Sequence, residues 1–171
     1  NNLGNVFRNM REYDKALEYH QRGLALKIEL GNKSSEGFSH HNIGLVHFAM
    51  GDHAGALAAY RRALAIREQL QDPRGTGVML NAIGSIEALT SPTLALATYQ
   101  RALALRRQTG DTRGEMATEL NLGDVYRRLG DLQAASDAFN RVLALGNRLD
   151  APLMQSNALK ALSEVEAGRE N

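Results

Sequence analysis

The 171-residue chain has no cysteine and no tryptophan, only three prolines, and few aromatics: five tyrosines and four phenylalanines. Without cysteine there can be no disulfide staple, no thiolate metal site and no cysteine nucleophile. That composition fits a reducing compartment, and the expected location is the cytoplasm. No apolar run approaches the roughly 20 residues of a membrane-spanning helix. The opening Asn1-Asn2-Leu3-Gly4 is not a basic-then-apolar leader. The formal net charge is +1, so there is no excess of basic side chains to neutralise a phosphate backbone or an anionic bilayer. Neither nucleic acid nor membrane is an expected partner. Scarce proline beside abundant Ala, Leu, Arg, Glu and Gln points to helix.

What the chain does have is a ruler. Arg22-Gly23-Leu24-Ala25, Arg62-Ala63-Leu64-Ala65, Arg101-Ala102-Leu103-Ala104 and Arg141-Val142-Leu143-Ala144 recur at spacings of 40, 39 and 40 residues. A fixed period of this length marks an array of one repeated unit. Apolar residues follow helical spacing throughout, and no stretch alternates as a strand would. The pattern predicts helices near 1–10, 12–30, 35–50, 53–70, 74–89, 92–109, 113–129, 131–149 and 152–167. They pair as antiparallel neighbours across short links. The expected organisation is a single array over 1–171, with repeats at about 1–33, 34–72, 73–111 and 112–150 and a further helix in 151–168.

Two motifs fix the register. The first helix of each pair carries Asn2-Leu3-Gly4, Asn42-Ile43-Gly44, Ala82-Ile83-Gly84 or Asn121-Leu122-Gly123. Gly inside a helix costs about 1 kcal/mol relative to Ala, so its recurrence implies a partner helix too close for a Cβ. The second helix carries Ala16-His20-Gly23, Ala56-Tyr60-Ala63, Ala95-Tyr99-Ala102 or Ala135-Phe139-Val142, all at i, i+4 and i+7 on one face. Gly51-Asp52, Gly110-Asp111 and Gly130-Asp131 read as a left-handed residue followed by an N-cap. Asp72-Pro73 and Ser91-Pro92 read as caps before a proline in the first turn.

These positions together resemble the tetratricopeptide repeat, with its Leu-Gly, an aromatic three residues on, and Ala, aromatic and Ala in the second helix. The post-glycine slot holds Phe7, His47, Glu87 and Tyr126. Glu87 in that slot must be exposed or paired to avoid a desolvation cost. The period near 40 is similar to the long repeats of kinesin light chains, of Leu-Gly-Asn-repeat polarity adaptors and of arrays in bacterial regulators. HEAT and armadillo repeats have similar length but lack these motifs. The resemblance implies an all-α fold: a right-handed superhelical solenoid of antiparallel helix pairs, four repeats plus a terminal helix. The first repeat lacks about seven residues at its start, and 152–167 match only the first helix of a fifth unit. The expectation is a fragment of a longer protein.

In the family, the first helices line a concave groove that holds a peptide or partner helix. The resemblance therefore implies a non-enzymatic interaction scaffold without cofactor or metal. Its expected peptide-binding residues are Asn2, Asn5, Arg8, His41, Asn42, Asn81, Asn121, Asp124 and Arg127. A carboxamide can pair with both N–H and C=O of a peptide backbone, and in the long-repeat relatives an asparagine ladder does so. The other reading of these asparagines is packing between helices. At the position three before glycine stands Asn1, beside His41, Asn81 and Leu120. Unit three departs from the ladder with Ala82. Arg22, Arg62, Arg101 and Arg141 read as a solvated outer face. The five histidines read as structural, because no pair sits at i, i+4 with a carboxylate to complete a ligand set. Two further readings stay open. One is a regulatory domain of a larger bacterial signalling or transcription-regulating protein, contacting its own output domain. The other is self-association through exposed repeat ends.

Overall fold

The computed structural model describes residues 2–169, and Asn1 lies outside them. Among the described residues there are nine α-helices and no strand: α1 (Asn2–Asn9), α2 (Tyr13–Glu29), α3 (Lys33–Ala49), α4 (His53–Gln69), α5 (Pro73–Thr90), α6 (Pro92–Gln108), α7 (Thr112–Arg128), α8 (Leu132–Leu149) and α9 (Pro152–Arg169). Each lies within a few residues of its expected span. The chain divides into two compact units, Asn1–Met79 and Leu80–Asn171, with the boundary inside α5.

Most links are one device repeated. The turns through Arg11, Gly31, Gly51, Gln71, Gly110 and Gly130 all have positive φ. In each, the following residue's N–H donates to the carbonyl five back, as from Asp52 to His47 at 2.9 Å and from Asp131 to Tyr126 at 3.0 Å. These backbone bonds satisfy carbonyls that the helix end leaves free. At five of the six the next side chain then caps the new helix, and only Glu12 makes no such bond. Asn32 accepts from Ser35 N–H, Asp52 from Gly55, Asp72 from Gly75, Asp111 from Gly114 and Asp131 from Ala134. Glycine at Gly51 and Gly130 announces two of these turns. Arg11 and Gln71 adopt the same backbone without glycine's freedom. The link between α5 and α6 is different: Ser91 alone separates them, and its hydroxyl accepts from Leu94 N–H at 3.4 Å.

In unit 1, successive helices α1 to α4 pack against one another, and α1 also touches α3. In unit 2, α6, α7, α8 and α9 do the same, with α7 touching α9. The short links make the packed neighbours antiparallel. Within each pair the recurring glycine meets the aromatic slot. A Cβ on Gly4 would stand 2.6 Å from the His20 ring, and one on Gly84 would stand 2.7 Å from Tyr99. Gly44 against Tyr60 and Gly123 against Phe139 are as close. The alanines flanking these rings, Ala16, Ala56, Ala95 and Ala135, are fully buried. So the glycine and aromatic motifs are packing residues. In unit 2, Phe139, Met116, Val142, Ala158 and Val165 form one core cluster, and Tyr99, Leu103, Leu122 and Val125 form another. Burying a side chain like Phe139 is worth about 2–3 kcal/mol.

Candidate functional site

In unit 2 the first-helix residues meet at a polar cluster. Asn81 Oδ1 accepts from Thr118 Oγ1 at 3.1 Å and from Asn121 Nδ2 at 3.2 Å. One turn along, Ser85 Oγ donates to the Asn81 carbonyl at 3.0 Å and accepts from the Tyr99 hydroxyl at 3.1 Å. Burial and that bond act oppositely on Tyr99; burial dominates and raises its pKa. Asn121 spends one N–H on Asn81, and its Oδ1 and second N–H have no partner among the described residues. It lines a cavity of about 270 Å³ together with Ser85, Leu89, Val125, Asp124, Arg127 and Arg128. Arg127 sits 3.6 Å from Asp124 and 3.7 Å from Glu164 of α9. Pairs this long and this exposed are weak, under about 1 kcal/mol, so both partners remain available. The Arg127 Nε is buried and unpartnered. Arg128 donates to the Ala88 carbonyl and closes one wall. Leu89, half exposed at 52 %, supplies the apolar edge.

The unit 1 candidates are arranged differently. Asn2 is exposed, while Asn5 and Arg8 are half-buried. Asn42 is 3 % exposed and its Nδ2 finds no partner, as does the buried Oδ1 of Asn5. His41 tilts against the Tyr60 ring at 5.8 Å. Burial, then Arg67 and Arg8, pushes the His41 pKa down. Burial pushes Tyr60 up to about 12. The asparagine register is therefore two environments: a sealed amide at Asn42, and at Asn121 an amide shared between Asn81 and a cavity.

Among the described residues, no group of three or more His, Asp or Glu side chains is placed to hold a metal ion. His20 is fully buried in the aromatic slot with both ring nitrogens unpartnered. Burial, and secondarily Arg8 and Lys27, lowers its pKa to about 4. His47 Nδ1 pairs with Asp52 Oδ2 at 2.8 Å. Glu87 is buried and accepts from Thr98 Oγ1 at 2.6 Å. No helix among the described residues is long and apolar enough to cross a membrane.

The sequence reading missed one site. Glu119 is 0 % exposed, yet it accepts from Arg107 Nη2 at 2.7 Å and from Arg141 Nε and Nη2 at 2.9 and 3.0 Å. Arg107 also reaches Glu115 at 2.8 Å. The clamp raises the Arg141 pKa. A solvated outer face suits Arg22, which is exposed and pairs with Glu18 on its own helix at 2.7 Å. Arg141 is exposed as well, yet it also holds a buried carboxylate on another helix, which that reading did not foresee. The signal available was Glu119 itself, a carboxylate at a register where the second repeat has His40 and the third Leu80.

A model described as tetratricopeptide repeat matches residues 1–69 and 75–148. Comparison with curated proteins gives no match. Among solved structures, aspartyl phosphate phosphatase F from Bacillus subtilis superposes with a TM-score of 0.92 at 13 % identity, over 99 % of this chain and 45 % of that one. BtubC from P. vanneervenii gives 0.77 at 22 % identity, over 87 % and 62 %. The kinesin light chain-like repeats of Podosopora anserina give 0.73 at 15 % identity, over 97 % and 91 %. Likeness at such identity establishes the fold, and this chain spans less than two thirds of the first two structures. The family match, covering most of the sequence, establishes more: the chain belongs to the tetratricopeptide repeat family, an all-α helical-repeat scaffold of the kind that works through protein partners.

Proposed function

We propose that the chain is a non-enzymatic binding module that takes an extended peptide or a partner helix on its first-helix face, with the strongest site in unit 2. The observation that carries this is the cavity at Asn121. There a carboxamide with one N–H and its oxygen still to spend, the weakly paired Asp124 and Arg127, and the exposed Leu89 converge within about 270 Å³. A carboxamide can hold a peptide N–H and C=O of any sequence. Leu89 suits one apolar anchor, and Asp124 and Arg127 suit flanking charges of either sign. Asn81, Asn121, Asp124 and Arg127 carry the contact. Asn2, Asn5, Arg8, His41 and Asn42 hold the corresponding first-helix positions in unit 1, Asn42 sealed from solvent.

A second reading has one observation behind it. This chain spans 45 % of the Bacillus phosphatase structure it superposes on. In a longer protein the bound segment would be the protein's own output domain, using the same face.

The test is calorimetry with a peptide selected on the intact chain from a displayed random library. Asn121→Ala and Leu89→Ser should each weaken binding by about tenfold, as hot-spot truncations do, with the melting temperature within a few degrees of wild type. If neither variant affects binding and Arg148→Ala on α8 does, the face is misassigned.

A further inference from the structure

The second-helix arginines share one register, yet they meet different partners. In unit 2, Arg141 of α8 closes on Glu119, which α7 delivers buried between α6 and α8. The residue at the Glu119 register in unit 1 is His40, and Arg62 stands where Arg141 does. Its own helix offers Arg62 no carboxylate, because Ala58, Ala59, Ala65 and Ile66 occupy the positions three and four away. No other described residue accepts a hydrogen bond from it. Where unit 2 has a filled clamp, unit 1 has a cavity of about 260 Å³.

The lining is a donor set on an apolar wall. Arg62, His40, His47 and Gln21 face the space, with Leu24 and Ile43 behind them. His47 already uses Nδ1 on Asp52, which leaves Nε2. Glu36, one turn before His40, is taken by Lys33 at 2.8 Å. A guanidinium binds a planar two-oxygen anion best through paired parallel N–H bonds. The apolar wall adds room for a few methylenes.

We propose that this unit 1 cavity binds a carboxylate on a short methylene stem, in the role that Glu119 plays internally in unit 2. The carboxylate comes from a free small acid or from an acidic side chain of a protein partner. The proposal rests on residues other than those named for the peptide site and does not depend on that site.

The experiment is a titration of the isotopically labelled chain with glutarate, with N-acetylglutamic acid α-amide, and with butyramide as the neutral control. The signals followed are the His40 and His47 rings and Arg62 Nε. Saturable shifts with either acid, at a Kd on the order of 1 mM, and none with butyramide, support the site. Glutarate alone identifies a free acid, and response to the blocked glutamate identifies a side chain. Arg62→Gln should weaken acid binding by about tenfold with the circular dichroism unchanged. His40→Glu, which supplies the carboxylate from within, should abolish it while the chain stays folded. Shifts of equal size with butyramide, no shifts with either acid, or acid binding that survives both substitutions would overturn the proposal.

Discussion

Units 1 and 2 are built from one repeat but bury different chemistry. Unit 1 holds all five histidines of the chain. One of them, His20, replaces the aromatic that packs on the recurring glycine, with two ring nitrogens unpartnered. Unit 2 has no histidine, fills the same slots with Tyr99 and Phe139, and buries a carboxylate clamped by two arginines. The repeat pattern tolerates both because the glycine needs only a flat ring opposite it. What surrounds the ring is free to diverge. The result is one unit whose buried polar groups include His20 and His40, and another that buries Glu119 together with its counter-charges.

The largest effect should come from the aromatic slot. Phe139→Ala empties a fully buried position and should cost about 4 kcal/mol by urea unfolding. His20→Phe should do the opposite. It removes a desolvated imidazole and should gain about 1–2 kcal/mol. A loss of stability on His20→Phe would mean that His20 has a polar partner after all.

The clamp comes next. Glu119→Ala leaves two guanidinium groups without their shared carboxylate and should cost about 3 kcal/mol, near the lower end for a broken buried pair because both arginines are half exposed. The loss should appear as faster amide exchange in α7 and α8. Spread evenly into α2 and α3, it would argue against a division into two units.

Acid should then separate the units. The His20 pKa is lowered to about 4 in the fold, against an ordinary value near 6.5. The unfolded chain therefore binds the extra proton between those values. Its contribution is fully present above about pH 6.5 and is lost as pH falls toward 4, on the order of 2–3 kcal/mol. His40 and His41 shift in the same direction, chiefly through burial. Between pH 7 and pH 5, protection factors, taken relative to the intrinsic exchange rate at each pH, should fall in α1 to α3 before α7 to α9, and His20→Phe should blunt that difference.

The smallest effect is at the turns. Gln71 holds a left-handed backbone, φ 51, where Gly31 and Gly51 serve the same turn. Gln71→Gly should gain a few tenths of a kcal/mol up to about 1, as strain relief outweighs the added freedom of the unfolded chain. Melting temperature is sufficient to read it.

The period, the helix spans and the glycine–aromatic packing were legible in the sequence because each repeats, and repetition averages out local ambiguity. Gly51-Asp52 and Gly130-Asp131 declared their turns through residue type. Arg11 and Gln71 did not, since the backbone hydrogen bonds that close the helix end hold the same conformation in an exposed residue with no preference for it. The candidate site was legible to the level of register. Whether an asparagine at that register is sealed like Asn42 or shared like Asn121 depends on a neighbour some 40 residues away, Asn81 in the latter case. Glu119 escaped for the same reason: its burial is decided by Arg107 and Arg141 on two other helices.

The most direct test of the central claim, that the first-helix face of unit 2 is the binding surface, is chemical-shift mapping of the selected peptide on the intact labelled chain. The account predicts the largest shifts at Ser85, Leu89, Asn121, Asp124 and Arg127, with the second-helix surface of α6 and α8 quiet. Shifts concentrated on α6 and α8, with Asn121 and Arg127 unmoved, would contradict it.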